Sequence, residues 1–110
     1  MSDFRIFETD EFAKKFNKLS SRDSNFLRRK LDTYVYPQLT EEPFWGNNIK
    51  KLQGYEPDTW RYRIGKFRIF YLVDTEEHII YILTIDARKD AYSYKDNNLL
   101  QSIRQLAPEE

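Results

Sequence analysis

The stretch from Trp60 to Val73 limits the possible folds more than any other part of the chain. Trp60-Arg61-Tyr62-Arg63-Ile64 alternates apolar and basic residues. Phe67-Arg68-Ile69-Phe70-Tyr71-Leu72-Val73 follows after only Gly65-Lys66. Alternation with a period of two marks strands. A two-residue loop with Gly at its first central position suits a type II′ hairpin turn. The two runs are therefore predicted to pair with Ile64 facing Phe67, Arg63 facing Arg68 and Arg61 facing Phe70. Side chains along a strand point to alternate faces. One face then carries Trp60, Tyr62, Ile64, Phe67, Ile69, Tyr71 and Val73. The other carries Arg61, Arg63 and Arg68.

Other elements group around this hairpin. Asp3 to Glu8 alternates and reads as a short strand. Thr9 or Asp10 can cap a helix in which Phe12, Ala13, Phe16 and Leu19 recur at helical spacing. Ser21 can cap a second helix carrying Phe26, Leu27, Leu31, Tyr34 and Val35 on one stripe, and Pro37 marks its expected end. Ile49 to Gln53 is a candidate short strand, and His78 to Ile85 a third long one. A tail helix is predicted from about Asn97 to Leu106, with Leu99, Leu100, Ile103 and Leu106 on one side. The order of strand, two helices and a meander gives an α+β class, with two N-terminal helices on a mainly antiparallel sheet of four to five strands and a short C-terminal helix.

Composition narrows the chemistry. The chain has 110 residues, of which 40% are hydrophobic and 16% aromatic. That is one domain, taken as residues 1–110, with aromatics enough for a core. With no cysteine and His78 as the one histidine, a disulfide scaffold, a Cys-ligated zinc site and a His-rich metal site are excluded, and no cofactor is expected. No apolar run is long enough to span a membrane, and the N-terminus has no secretory pattern, so the cytoplasm is the expected location. Basic and acidic residues balance at 18 each. The balance is not local. Trp60 to Val73 holds Arg61, Arg63, Lys66 and Arg68 and no acid.

Like charges directly opposite in a sheet repel. Arg63 across from Arg68, beside Arg61, has three readings: a solvated face, an anion site, or a seat for an acidic partner surface. Planar guanidinium groups suit phosphate oxygens in bidentate contacts, which favours an anion site. By simple alternation the same face also carries Phe70 and Leu72, with Tyr81, Leu83 and Ile85 from the third strand. Such residues stack on bases, or are covered by the C-terminal helix or a partner. Arg88 and Lys89 stand where the third strand stops, with Tyr92 and Tyr94 close behind. His78 starts that strand, far from Arg88.

Three segments then form a pattern. They are Leu52-Gln53-Gly54-Tyr55, the hairpin from Trp60 to Tyr71, and Ile82-Leu83-Thr84-Ile85-Asp86-Ala87-Arg88-Lys89-Asp90-Ala91-Tyr92. In order and spacing, over about residues 49–94, they resemble the RelE/ParE superfamily of type II toxin–antitoxin toxins. The resemblance implies a compact RelE-like fold and an antitoxin that wraps and blocks the toxin. It implies, for the RelE-type branch, a metal-independent endoribonuclease that cuts mRNA in the ribosomal A site by attack of the RNA 2′-hydroxyl. ParE-type members instead inhibit DNA gyrase, and an inactive member would only bind its antitoxin.

Carried over by position, the resemblance makes Arg63, Arg68 and Arg88 ligands of the scissile phosphate. Arg61 would hold a flanking phosphate, with Lys66 and Lys89 as further substrate contacts. Tyr92, or Tyr94 by the alternative spacing, would stack on or orient the nucleotide. Where RelE-type nucleases often have a Lys in the alternating pair, this chain has Arg61 and Arg63. Where His often precedes the last arginine, it has Ala87. Arginine rarely gives up its proton. The general base is therefore a tyrosine, a carboxylate such as Asp86, or a group on the ribosome.

Overall fold

The computed structural model describes residues 3–87. The predicted tail helix, Arg88, Lys89, Tyr92 and Tyr94 lie outside the described residues. The chain runs β1 (Arg5–Glu8), α1 (Asp10–Asn17), α2 (Ser21–Lys30), a π-helical segment (Leu31–Val35), α3 (Tyr36–Glu41), β2 (Ile49–Lys51), β3 (Trp60–Ile64), β4 (Phe67–Asp74) and β5 (Ile79–Asp86). The strands form one five-stranded sheet in the order β1-β5-β4-β3-β2. β1 lies parallel to β5, and the other neighbours are antiparallel. The α+β class, the N-terminal helical layer and the mainly antiparallel sheet are as the sequence predicts.

The hairpin register is also as predicted, with Ile64 on Phe67, Arg63 on Arg68 and Arg61 on Phe70. Gly65 takes φ +59°, the left-handed conformation that a type II′ turn asks of its first central residue. The apolar face packs on the helices. Phe12, Leu27, Leu31, Val35 and Leu39 meet Tyr62, Ile64, Phe67, Ile69, Tyr71, Ile80, Ile82 and Ile85 in one buried core.

The second helix departs from expectation at three points. Ser20, not Ser21, is its cap, and its hydroxyl accepts from the Asp23 N–H at 3.1 Å. Pro37 does not end the helical run, which continues to Glu41. A proline inside a helix lacks a donor and its ring crowds the turn before it. Here that turn is the wide π segment, closed by the Tyr36 N–H on the Leu31 carbonyl. Its extra residue keeps Leu27, Leu31, Val35 and Leu39 on one line. It also leaves Tyr34, expected on the core stripe, 61% exposed.

Two tyrosines tie the helical layer to its surroundings. The Tyr36 hydroxyl donates to Glu8 Oε2 at 2.6 Å, and Arg28 Nη1 donates to the same oxygen at 2.9 Å. The Tyr71 hydroxyl donates to the Pro43 carbonyl at 2.6 Å and holds the loop after α3. Burial, and for Tyr36 the bond to Glu8, raise both phenols well above the ordinary tyrosine value. The fold thus favours their protonated forms. That stabilisation is complete below the unfolded pKa of about 10 and is lost as pH rises past it. Unfolding free energy is expected to fall above about pH 10 by up to about 1.4 kcal/mol per pH unit for each tyrosine. Urea midpoints at about pH 9 and about pH 11 check this. Tyr36→Phe and Tyr71→Phe should each flatten the loss, and unchanged slopes would contradict the assignment.

Candidate functional site

The face of the sheet away from the helices divides into an apolar part and a basic part. In the apolar part Phe70, Leu72 and Leu83 are buried with Tyr55, and Leu52 and Tyr81 pack against them. Tyr55 and Leu52 come from the β2–β3 loop, so part of the cover comes from that loop, where the sequence suggests the C-terminal helix or a partner.

The basic part follows from register. Arg63 on β3 faces Arg68 on β4, and Arg68 faces Asp86 on β5. Directly opposite residues have Cβ atoms about 4.5–5.5 Å apart. These three therefore form a cross-strand row of two cations and one carboxylate. The next row on this face is Lys50, Arg61, Phe70 and Thr84. The place of Lys50 is not legible in the sequence. A three-residue strand has too few alternations to fix its pairing, and only the match of Ile49 with Tyr62 on the core face turns Lys50 toward Arg61.

Asp86 reaches this row through a bulge. The β4–β5 register shifts between Phe70 and Tyr71, leaving Leu83 as an extra residue. Ile80, Ile82 and Ile85 all join the helix-side core. Ile85, expected on the arginine face by alternation, is thus turned inward. Asp86 is turned outward in its place. Bulges of this kind re-aim side chains.

Arg61 is held by a hydrogen bond, and among the described residues none of the three arginines forms an ion pair. Arg61 Nη1 donates to the Asn48 carbonyl at 3.0 Å, and the Arg63 backbone N–H donates to the same oxygen at 3.0 Å. Burial, followed by the charges of Arg68 and Arg63, lowers the pKa of Arg61 from its usual value. It remains a cation at neutral pH. Arg28, on the helix side, contrasts with the three in pairing with both Glu8 and Asp32. A cluster of guanidinium groups left with spare donors binds a phosphate readily.

Other candidates fall elsewhere. Lys66 turns toward the helices, with Nζ 3.5 Å from Asp23 Oδ2 and 5.2 Å from the centre of the Phe67 ring. It is not brought together with the arginines. His78 lies at the far end of β5 from Asp86 and stacks on Phe4 at 5.0 Å. Among the described residues no cluster of His, Asp and Glu is placed to hold a metal ion, and no helix is long and apolar enough to cross a membrane.

Comparison with known proteins adds the family. Among curated proteins no sequence match is found. Solved structures match well. The toxin–antitoxin complex RelBE2 of Mycobacterium tuberculosis superposes with a TM-score of 0.63 at 23% identity, over 78% of this chain and 99% of that one. A mutant of the E. coli toxin RelE in the free state gives a TM-score of 0.64 at 19% identity, over 97% of this chain and 100% of that one. The archaeal RelE–RelB complex of Pyrococcus horikoshii gives 0.56 at 24% identity, over 81% and 99%. These likenesses are of fold. A family model described as the ParE toxin of type II toxin–antitoxin systems matches residues 9–92, most of the chain. The match spans the helices, the arginine hairpin and the end of β5, and so the chain belongs to the RelE/ParE superfamily as a toxin of a type II toxin–antitoxin system.

Proposed function

We propose that this toxin is a ribosome-dependent mRNA endonuclease and that the arginine face is its RNA site. The observation that carries the reading is the row of Arg63 and Arg68 beside Arg61, none of them ion-paired among the described residues. In this reading Arg63, Arg68 and Arg88 hold the scissile phosphate. Arg61 and Lys50 hold a flanking one. Lys89 and either Tyr92 or Tyr94, beyond the described residues, complete the nucleotide contacts. A base takes the proton of the 2′-hydroxyl, and its oxygen bonds to the adjacent phosphorus as the bond from phosphorus to the 5′-oxygen breaks. The 5′-oxygen leaves with a proton from water or a general acid, giving a 2′,3′-cyclic phosphate and a 5′-hydroxyl. Negative charge grows on the pentavalent phosphorus centre, and fixed guanidinium groups stabilise it there more than in the ground state. Arginine cannot take the 2′-proton. That leaves Asp86, a tyrosine, or a ribosomal group as base. Substrate is then mRNA in the ribosomal A site, the location cytoplasmic, and the inhibitory partner a cognate antitoxin.

A second reading is gyrase inhibition by protein contact. It is favoured by the match to a family described by its ParE toxins and by a net charge of zero, which gives weak general attraction to RNA. Purified toxin in a translating extract separates the two. Message cuts that need active ribosomes support the nuclease. Intact message together with loss of gyrase supercoiling supports the second reading.

A further inference from the structure

The bulge in β5 has a holder of its own. Thr9 lies between β1 and α1, at the point where the β1–β5 pairing ends with Glu8 on Ile82. Its backbone N–H donates to the Ile82 carbonyl at 3.1 Å. Its hydroxyl donates, shared, to the carbonyls of Ile82 and Leu83, at 2.9 Å each. The same hydroxyl oxygen accepts the Phe12 N–H at 3.2 Å, capping α1.

Consecutive carbonyls of a regular strand point to opposite neighbours. Here two in sequence meet one hydroxyl, because the extra residue has turned Leu83 toward β1. Thr9 is 7% exposed, so water does not readily replace it. A buried carbonyl left without a donor is costly. The Thr9 hydroxyl therefore stabilises the bulged register over the regular one. The register in turn decides what faces the arginines. Bulged, β5 presents Thr84 and Asp86 to that face and buries Ile85. Regular alternation would present Ile85 and bury Asp86.

We propose that Thr9 is a positioning residue of the arginine face, acting from the β1 edge of the sheet through the β5 bulge. The effect on catalysis rests on the nuclease reading, while the effect on register does not. Thr9→Val keeps the shape and removes the hydroxyl, and Thr9→Ser keeps the hydroxyl. Two readouts are taken: backbone NOEs for the Phe70–Thr84 and Arg68–Asp86 pairs, and the cleavage rate and apparent KM on programmed ribosomes.

Thr9→Val is expected to weaken the pair NOEs and lower kcat roughly tenfold or more, with KM little changed. Thr9→Ser is expected to restore both. If Thr9→Val fails to fold, Thr9→Gly takes its place, because Gly is tolerated at a helix N-cap and supplies no hydroxyl. Native pairing and native rates in the variant without a hydroxyl would overturn the proposal. So would a failure of Ser to restore them. Wild-type protein that cuts no message overturns the nuclease reading alone, and the NOEs then decide whether Thr9 holds the register.

Discussion

Arg68→Ala is expected to lower message cleavage by about a hundred- to a thousandfold and to leave the fold intact. Arg68 occupies the middle of the row, between Arg63 and Asp86. Any phosphate held by the row must meet it. Its loss removes a donor fixed where charge develops, which is the costliest kind of donor to lose in a transition state. The fold has little to lose. Arg68 makes no ion pair among the described residues, and its charge is one cause of the lowered Arg61 pKa. Removing it relieves repulsion on Arg63 and Arg61 and gives up attraction to Asp86 across the strands, two small and opposed effects, so stability should stay within about 1 kcal/mol of wild type. Arg68→Lys should recover only part of the activity, because an ammonium lacks the planar fork. Growth arrest on induction and a circular-dichroism melt check both halves. A folded, fully toxic Arg68→Ala protein would remove the arginine row from the mechanism.

The largest effect on stability is expected at Phe12. Its side chain is fully buried in the helix-side core and stacks on Phe16, with ring centres 5.7 Å apart. α1 has only eight residues. Helices shorter than about 12–15 residues are marginal in isolation, so α1 depends on this anchor and on the Thr9 cap. Phe12→Ala removes the ring and leaves a cavity, at a cost of about 3–5 kcal/mol. Domains of this kind have about 5–15 kcal/mol in total. Each kcal/mol lowers the thermal midpoint by about 4–8 °C at this size. The variant should therefore melt at least about 12 °C below wild type, as followed by calorimetry or circular dichroism. A midpoint within about 3 °C would mean that the sheet and helices close around alanine and that α1 is held by other contacts.

Much of the site could be read from two features of the sequence. The Gly65-Lys66 turn fixed one register, and that register placed Arg61, Arg63 and Arg68 on one face. Nothing beyond period-two alternation was needed. The same rule misplaced Ile85, because a bulge reverses alternation and leaves no mark on composition. From sequence Asp86 is therefore a candidate base with no position, and the structure sets it across from Arg68. Lys50 stayed hidden for a different reason, since its strand is too short to carry a pattern. Pro37 misled because a proline usually ends a helix, and here a π turn absorbs it. The parallel pairing of β1 with β5 is a long-range contact that no local pattern encodes. The cap of α1 was legible as Thr9 or Asp10. The second task of Thr9, at the carbonyls of Ile82 and Leu83, was not.

In the proposed reaction the arginine face directs a 2′-hydroxyl attack on ribosome-bound message. Its most direct test is the chemistry of the cut ends. Purified toxin is added to a translating extract, cuts are mapped by primer extension, and the end groups are identified with and without active ribosomes. Attack by the 2′-oxygen predicts cuts in reading frame that need ribosomes, ending in 2′,3′-cyclic phosphate and 5′-hydroxyl, and absent with Arg68→Ala. Uncut message would contradict the nuclease reading, and cuts that persist with Arg68→Ala would contradict the role of the arginine face.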